Sequence, residues 1–163
     1  MKVDSRTFRK ALGCFPTGVA VVTTLDSQGK PVGVTISSFT SVSLEPPLVL
    51  FCLANTSANL ADFKASGHFA VNVLREDQRE LSMRFAGRGA DKWAEVPRTT
   101  WETGSPIIGQ CLANLDCRVV AVHEGGDHLI FVGEVDRLEY GTAGQPLIYF
   151  RGDYAALGNT TLP

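Results

Sequence analysis

Glycine and proline interrupt this sequence at short intervals, and that punctuation constrains what it can fold into. Sixteen glycines and eight prolines are spread along the 163 residues, so the stretches between breaks suit short strands better than long helices. β-branched and apolar residues fill several of these stretches. Gly18–Thr24 (GVAVVTT) and Val32–Ile36 flank the turn segment DSQGKP and read as a hairpin. Leu48–Leu53 (LVLFCL), directly after Pro46-Pro47, is continuously apolar and predicts a strand buried on both faces. His68–Leu74 (HFAVNVL) is a further strand. Leu115–His123 and His128–Tyr140 flank Glu124-Gly125-Gly126-Asp127 and read as a second hairpin, and Leu147–Arg151 is the last strand. Three short helices are expected. Ser5–Leu12 carries Phe8 and Leu12 on one face. Asn59–Ala65 has Thr56 or Ser57 as its cap. Asp77–Phe85 opens on a variant capping box from Asp77 to Glu80 and is ended by Gly87 and Gly89.

Six to eight strands joined mostly by short turns, with two or three small helices, predict a mainly β, antiparallel barrel. A doubly wound parallel sheet would need strands and helices to alternate regularly, and these do not. No GxGxxG follows a first strand and there is no phosphate-binding P-loop motif. The length predicts one domain over residues 1–163. Fifteen Lys and Arg against 17 Asp and Glu leave a net charge of −2, without the basic excess of a nucleic-acid binder. The longest nearly apolar run, Pro47–Ala54, is far short of the roughly 20 residues that span a bilayer. MKVDSRTFRK lacks the apolar core of a secretory signal, and Cys14, Cys52, Cys111 and Cys117 form no CxxC. These features predict a cytoplasmic protein with no membrane or nucleic-acid partner, its thiols buried as small hydrophobes. The closing GNTTLP is expected to be loose.

Five segments have the composition to carry chemistry. Gly33–Ser43 (GVTISSFTSVS) places six hydroxyls in eleven residues, at Thr35, Ser37, Ser38, Thr40, Ser41 and Ser43. Such a stretch suits a flat heteroaromatic ligand rich in acceptors and donors, and equally suits a solvent-facing strand and turn. Ala54–Asn59 (ANTSAN) closes an apolar strand and opens a helix, where free N–H groups meet anions or simply form a cap. Arg84, Arg88 and Lys92, with Phe85 among them, offer cations to a phosphate or form a solvated basic face. Gly126-Asp127-His128 sets a histidine at a hairpin mouth, as a ligand contact or as a surface residue. Pro146–Tyr154 alternates Tyr149, Arg151 and Tyr154 with apolar residues, as the lining of a mouth or as an edge strand. No Ser-His-Asp order, no lone Cys beside a base and no acidic pair is recognisable, and an enzyme without its own nucleophile or metal commonly works through a cofactor.

The order of several short motifs is more specific than any one of them. Phe15–Thr24, Gly33–Ser43, Glu45–Leu50, the ANTS segment, Phe69–Leu74, Gly126–His128 with Val132–Val135, and Pro146–Tyr149 with Arg151-Gly152 together resemble the short-chain flavin reductase family. Its members are the reductase components of two-component flavin-dependent monooxygenases. The resemblance runs from about Phe8 to Leu157. It implies a Greek-key FMN-binding split barrel and a homodimer with the flavin near the subunit interface. It also implies hydride transfer from NADH or NADPH to FMN or FAD, and a flavin-dependent oxygenase that receives the reduced flavin. Carried onto this chain, Thr35, Ile36, Ser37, Ser38, Ser41 and Cys52 would hold the isoalloxazine and ribityl chain. Ala54, Asn55 and Ser57 would approach the ribityl phosphate, and Phe85 and Lys92 would lie near the phosphate side. His128 would position the nicotinamide without covalent chemistry, and Tyr149 would line the same mouth. The same fold would also serve an enzyme that keeps its flavin as a prosthetic group, or a flavin-binding module with no catalysis.

Overall fold

The computed structural model describes residues 3–89 and 91–158; most of the tail expected to be loose falls on 159–163, outside the described residues. The elements run α1 (Ser5–Leu12), β1 (Thr17–Gly18), β2 (Ala20–Leu25), β3 (Pro31–Ile36), β4 (Thr40–Leu44), β5 (Pro47–Ala54), α2 (Leu60–Ser66), β6 (His68–Val73), a 3-10 turn (Glu76–Gln78), α3 (Arg79–Ala86), β7 (Arg98–Thr100), β8 (Pro106–Ile108), β9 (Ala113–Gly125), β10 (His128–Tyr140), β11 (Ile148–Phe150) and β12 (Asp153–Ala155). Seven strands form one antiparallel sheet in the order β3-β2-β6-β9-β10-β5-β4. A three-stranded β1-β11-β12 sheet and a β7-β8 pair lie beside it.

The two edges of the large sheet, β3 and β4, are joined by only Ser37–Phe39. At about 3.6 Å per residue, Ile36 and Thr40 can be at most about 14 Å apart. A flat sheet would separate its edge strands by six spacings of about 4.8 Å, or about 29 Å. The sheet therefore has to curl until its edges meet, which makes it a barrel with a seam between β3 and β4. This is the antiparallel split barrel that the resemblance implies.

Alternation along the strands fills its inside. Val49, Phe51 and Leu53 of β5 meet Phe131 of β10, Phe69 and Val71 of β6, and Ala20 and Val22 of β2. Phe51 lies at the centre, stacked on Phe131 at 5.0 Å between ring centroids and edge-on to Phe69 at 4.9 Å and Phe63 at 5.6 Å. Gly133 makes room for this packing, because a Cβ there would stand 2.4 Å from Cζ of Phe69. A second cluster lies outside the barrel, where Val19, Val21, Leu74, Phe85, Ile108 and Leu147 pack together under α3 and the 93–108 segment.

Strands buried on both faces are thus β2 and β6, not Leu48–Leu53. On β5 only alternate residues are buried, and Leu48, Leu50 and Cys52 are half-exposed on the outer face. Among the described residues no element covers that face, whereas β2 lies between the barrel core and the second cluster. The hairpins were legible: Asp26 Oδ1 accepts from Gln28 N and Lys30 N, each at 2.8 Å, to build the first turn. The helices form where expected, with different caps. Asp4 caps α1 by accepting from Arg6 N and Thr7 N. Neither Thr56 nor Ser57 is the cap of α2; Asn59 holds that position, and its Nδ2 donates to Gly33 O instead. The Asp77–Glu80 box is replaced by the 3-10 turn, in which Gln78 Oε1 accepts from Arg75 N while Asp77 pairs with the Arg75 guanidinium. Cys14 is exposed and Cys52 and Cys111 are half-buried, so only Cys117 is the fully buried thiol expected of all four.

β7 and β8 had no strand pattern in the sequence. Long-range side-chain bonds hold this segment against the barrel. Buried Asn72 accepts through Oδ1 from Ile108 N at 2.8 Å and donates to Val21 O at 2.9 Å. Buried Asp116 accepts from Thr103 N at 2.9 Å and from the Thr103 hydroxyl, and Ser105 Oγ continues the chain to His68 Nδ1 at 2.7 Å. Burial pushes the His68 pKa down, against the opposing charge of Asp116. The unfolded histidine takes its proton near pH 6.5 and the folded one resists it, so stability falls as pH drops below about 6.5.

Two outcomes are expected. Phe51→Ala should lower unfolding stability by about 3–5 kcal/mol, read from urea midpoints. The thermal midpoint should decline on acidification from about pH 6.5 to 5, and more shallowly in His68→Asn; equal slopes would separate His68 from the acid response.

Candidate functional site

The seam is where most of the expected residues meet. A cleft of about 330 Å³ is lined by Val34, Thr35, Ile36, Ser37 and Ser38 from the end of β3 and its link to β4, by Cys52, Leu53, Ala54 and Ser57 from the end of β5 and the loop before α2, and by His128 at the start of β10. The register explains the gathering: His128 pairs with Ala54 across the β5–β10 ladder, and the β3 end arrives through the short link. Eight of the expected positions therefore share one wall: Thr35, Ile36, Ser37, Ser38, Cys52, Ala54, Ser57 and His128.

Several of the hydroxyls serve the scaffold. Ser38 Oγ accepts from Cys52 N at 2.9 Å and donates to Cys52 O at 3.0 Å, which ties the link to β5 where the β4 ladder has ended. Thr35 Oγ1 donates to Ser82 O at 2.7 Å and fastens β3 to α3, while the Ser82 hydroxyl meets Tyr154 Oη at 2.7 Å. Ser57 Oγ accepts from Asn59 N. Ser37 is exposed, and its hydroxyl has no partner among the described residues. Since Ser37–Phe39 lie outside the ladder, this stretch offers backbone and hydroxyl groups to a ligand.

His128 is oriented from the hairpin turn. Gly126, at φ 75°, and Asp127 form the two-residue turn, and Asp127 Oδ1 lies 2.7 Å from His128 Nδ1. That hydrogen bond, with the charge of His128 and a smaller effect of Arg9, holds the Asp127 carboxyl below its usual range. Asn55 does not line the cleft but clamps the turn: its N donates to Asp127 O at 2.9 Å and its Nδ2 to Gly126 O at 3.1 Å. The Nδ1 side of His128 is thereby occupied, which leaves Nε2 for a ligand.

The remaining expected residues lie elsewhere. Tyr149 is in an adjoining hollow of about 180 Å³ that shares Thr35, Ile36 and Ser37 with the cleft, and its ring is edge-on to Tyr154 at 5.6 Å. Ser41 is exposed on β4, away from the cleft. Phe85 is fully buried in the second cluster, edge-on to Trp93 and pressed against Gly33, where a Cβ would stand 2.7 Å from its ring. It braces the strand that carries the site and does not face the cleft. Lys92 donates through Nζ to Phe85 O at 3.3 Å, at the carbonyl end of α3, and partial burial lowers its pKa. Reasoning from sequence named Tyr149 and Arg151 as the lining of a mouth or an edge strand, and missed Arg9 and Thr17, which line the same hollow.

The cleft has apolar walls at Val34, Ile36 and Leu53, a polar rim at Ser37 and His128, and a volume within the usual range for ligand sites. It fits a flat, amphipathic heteroaromatic ring. Comparison with known proteins agrees. The flavin reductase like domain matches residues 12–158, and the chain belongs to this family. It is 46% identical over 158 residues, 96% of this chain and 84% of the other, to the protein named flavin-dependent monooxygenase, reductase subunit HsaB, of Mycobacterium tuberculosis. It is 45% identical over 151 residues, 93% of this chain and 85% of the other, to the FMN reductase (NADH) SmoA of Agrobacterium fabrum. The crystal structure of nitrilotriacetate monooxygenase component B from Mycobacterium thermoresistibile superposes with a TM-score of 0.93 at 43% identity, covering 98% of this chain and 91% of that one. The NADH:FAD oxidoreductase SgcE6 of Streptomyces globisporus gives 0.91 at 36% identity, covering 99% of each chain.

Ser38→Ala should leave the Cys52 N–H and C=O without their shared partner. A loss of about 1–3 kcal/mol in unfolding stability is expected, together with weaker flavin binding. A variant as stable as the parent would remove Ser38 from the seam.

Proposed function

We propose that the protein is an NAD(P)H-dependent flavin reductase that transfers a hydride from NADH or NADPH to FMN or FAD and releases the reduced flavin to a flavin-dependent oxygenase. The observation that carries this is the convergence, in one cleft, of the ladder-free Ser37–Phe39 link and the histidine of the Gly126–His128 turn. A flavin bound there supplies the ring that takes the hydride at N5. The chain supplies alignment. Val34, Ile36 and Leu53 give a flat ring apolar walls, and the link gives its polar edge hydrogen-bonding groups. His128, fixed by Asp127 and Asn55, presents Nε2 to the second ring and so positions the nicotinamide. Holding two rings at reacting distance supplies up to about 7–11 kcal/mol when the geometry is optimal. The open cleft, with Ser37 exposed and His128 half-exposed, favours a flavin that exchanges with solvent over one kept as a prosthetic group.

Relatives support the finer assignments without agreeing on the flavin: SmoA is named for FMN and NADH, SgcE6 for FAD and NADH. NADH is accordingly the donor we expect to be preferred. The relatives named as monooxygenase reductase subunits support an oxygenase partner. A homodimer is supported by the uncovered outer face of β5 and β10, where Leu50 lies opposite Val132 and Cys52 opposite Ile130, all half-exposed. This strip abuts the cleft at Cys52, so a second copy seated on it would bring the interface beside the flavin. Free thiols suit a reducing, cytoplasmic setting. No helix among the described residues is long and apolar enough to cross a membrane.

Purified protein should oxidise NADH in air only when FMN or FAD is added, with saturable dependence on the flavin. Flavin that copurifies without turnover of added flavin would overturn the reading. His128→Ala should raise KM for the nicotinamide more than it raises the flavin Kd, and unchanged kinetics would remove the histidine from the site. Light scattering should give twice the chain mass, and Leu50→Asp should shift it toward the monomer.

A further inference from the structure

Tyr154 closes the sequence motif that also carries Tyr149, yet it does not line the cleft. It is the direct partner of Tyr149 across the β11–β12 ladder, and the two rings stand 5.6 Å apart at 73° to each other. Two residues three apart on one face of α3 hold the Tyr154 ring. Ser82 Oγ meets Tyr154 Oη at 2.7 Å, and the Arg79 guanidinium lies over the ring, 5.0 Å from its centroid. Arg79 also pairs with Asp153 at 3.8 Å, so the short strand that carries Tyr154 is fastened to the same helix. Ser82 is fully buried and serves twice, because its carbonyl accepts from Thr35 Oγ1 at 2.7 Å. One residue of α3 thus fixes the cleft wall through Thr35 and the ring of Tyr154 through its own hydroxyl. Between these attachments lies the hollow of about 180 Å³ whose lining includes Thr35, Ser37, Tyr149 and Tyr154. Tyr149 itself is held by little else. It is 37% exposed, its hydroxyl has no partner among the described residues, and its one ring contact there is Tyr154. A side chain so placed takes its orientation from the cross-strand aromatic pair.

We propose that Tyr154 is a positioning residue for hydride transfer: anchored to Ser82, it sets the angle of the Tyr149 ring and so the opening between Tyr149 and Ser37 that admits the nicotinamide. The inference rests on the reductase reading, in which Tyr149 lines that mouth. Tyr154 acts through Tyr149 and touches neither ligand. Alignment of two rings is steeply sensitive to displacement, so a ring braced from outside the cleft contributes to binding of the second one. The hydroxyl at position 154 is what the role requires, since a phenylalanine would keep the ring and lose the bond to Ser82.

Equilibrium dialysis of NAD+ against the full-length protein saturated with FMN, beside steady-state oxidation of NADH, tests it in the parent, Tyr154→Phe, Ser82→Ala and the double variant. Tyr154→Phe keeps the ring, and Ser82→Ala keeps the carbonyl that holds Thr35, so each removes the anchor alone. Each single variant is expected to raise the NAD+ Kd and the KM for NADH about three- to tenfold, the loss of one hydrogen bond, with the FMN Kd unchanged. The double variant should be no weaker than either single one, because all three lack the same bond. An unchanged NAD+ Kd in Tyr154→Phe, additive losses in the double variant, or an equal rise in the FMN Kd overturns the role. So does a lowered thermal midpoint with both constants at parent values, which would confine the anchor to the fold. NADH oxidation by the parent with added flavin is scored separately. An inactive parent refutes the reductase reading and the positioning role with it, whereas an active parent with unchanged constants in the variants refutes only Tyr154.

Discussion

The three-residue link between β3 and β4 is the constraint on which the rest of this structure depends. It joins the two edges of a seven-stranded sheet and so obliges the sheet to close. Closure creates an interior, and the phenylalanines on β5, β6 and β10 fill it. Closure also creates a seam, where a backbone that has left the ladder is brought against the ends of β5 and β10. The site and the barrel are two consequences of one short connection. A longer link would relax the edges and also remove the wall of the cleft.

The seam has its own reinforcement. Ser38 satisfies both backbone groups of Cys52, Thr35 holds α3, and Asn59 reaches from α2 to Gly33 O. Phe85 presses on the same glycine from outside. The strand that carries the site is therefore fixed from both sides before any ligand arrives. Such preorganisation is what a catalyst that works by alignment needs, because a ring displaced by an ångström loses much of the advantage.

Most of the main strands were legible in the sequence because alternation and turn residues are local signals, whereas the closing link and β4 were read only as a hydroxyl-rich segment that suits a ligand or a solvent-facing strand and turn. The cleft was legible because its motifs lie on those strands. What was not legible depended on partners distant in sequence. Arg98–Thr100 and Pro106–Ile108 are too short and irregular to announce themselves, and they become strands because Asn72 and Asp116 supply bonds from the barrel. The apolar run on β5 carries no mark of which face the chain itself will cover. Phe85 looks alike in sequence whether its ring enters a cleft or packs on a glycine 52 positions away; only the approach of α3 to β3 decides. Arg9 and Arg151 bracket almost the whole chain, and they meet because α1 returns to the Arg151-Gly152 turn.

In the proposed function, His128 is asked for position and not for covalent chemistry. The histidine is half-exposed on a hairpin turn, where packing alone would leave it free to rotate. Its order comes from Asn55, which binds two carbonyl groups of the turn, and from Asp127, which occupies Nδ1. A buried histidine would require a closed site. A surface histidine held by backbone clamps keeps the mouth open for two ligands to enter and leave in turn. An enzyme that must release its reduced product to another protein is better served by a ring aligned at an open seam than by one enclosed in a core.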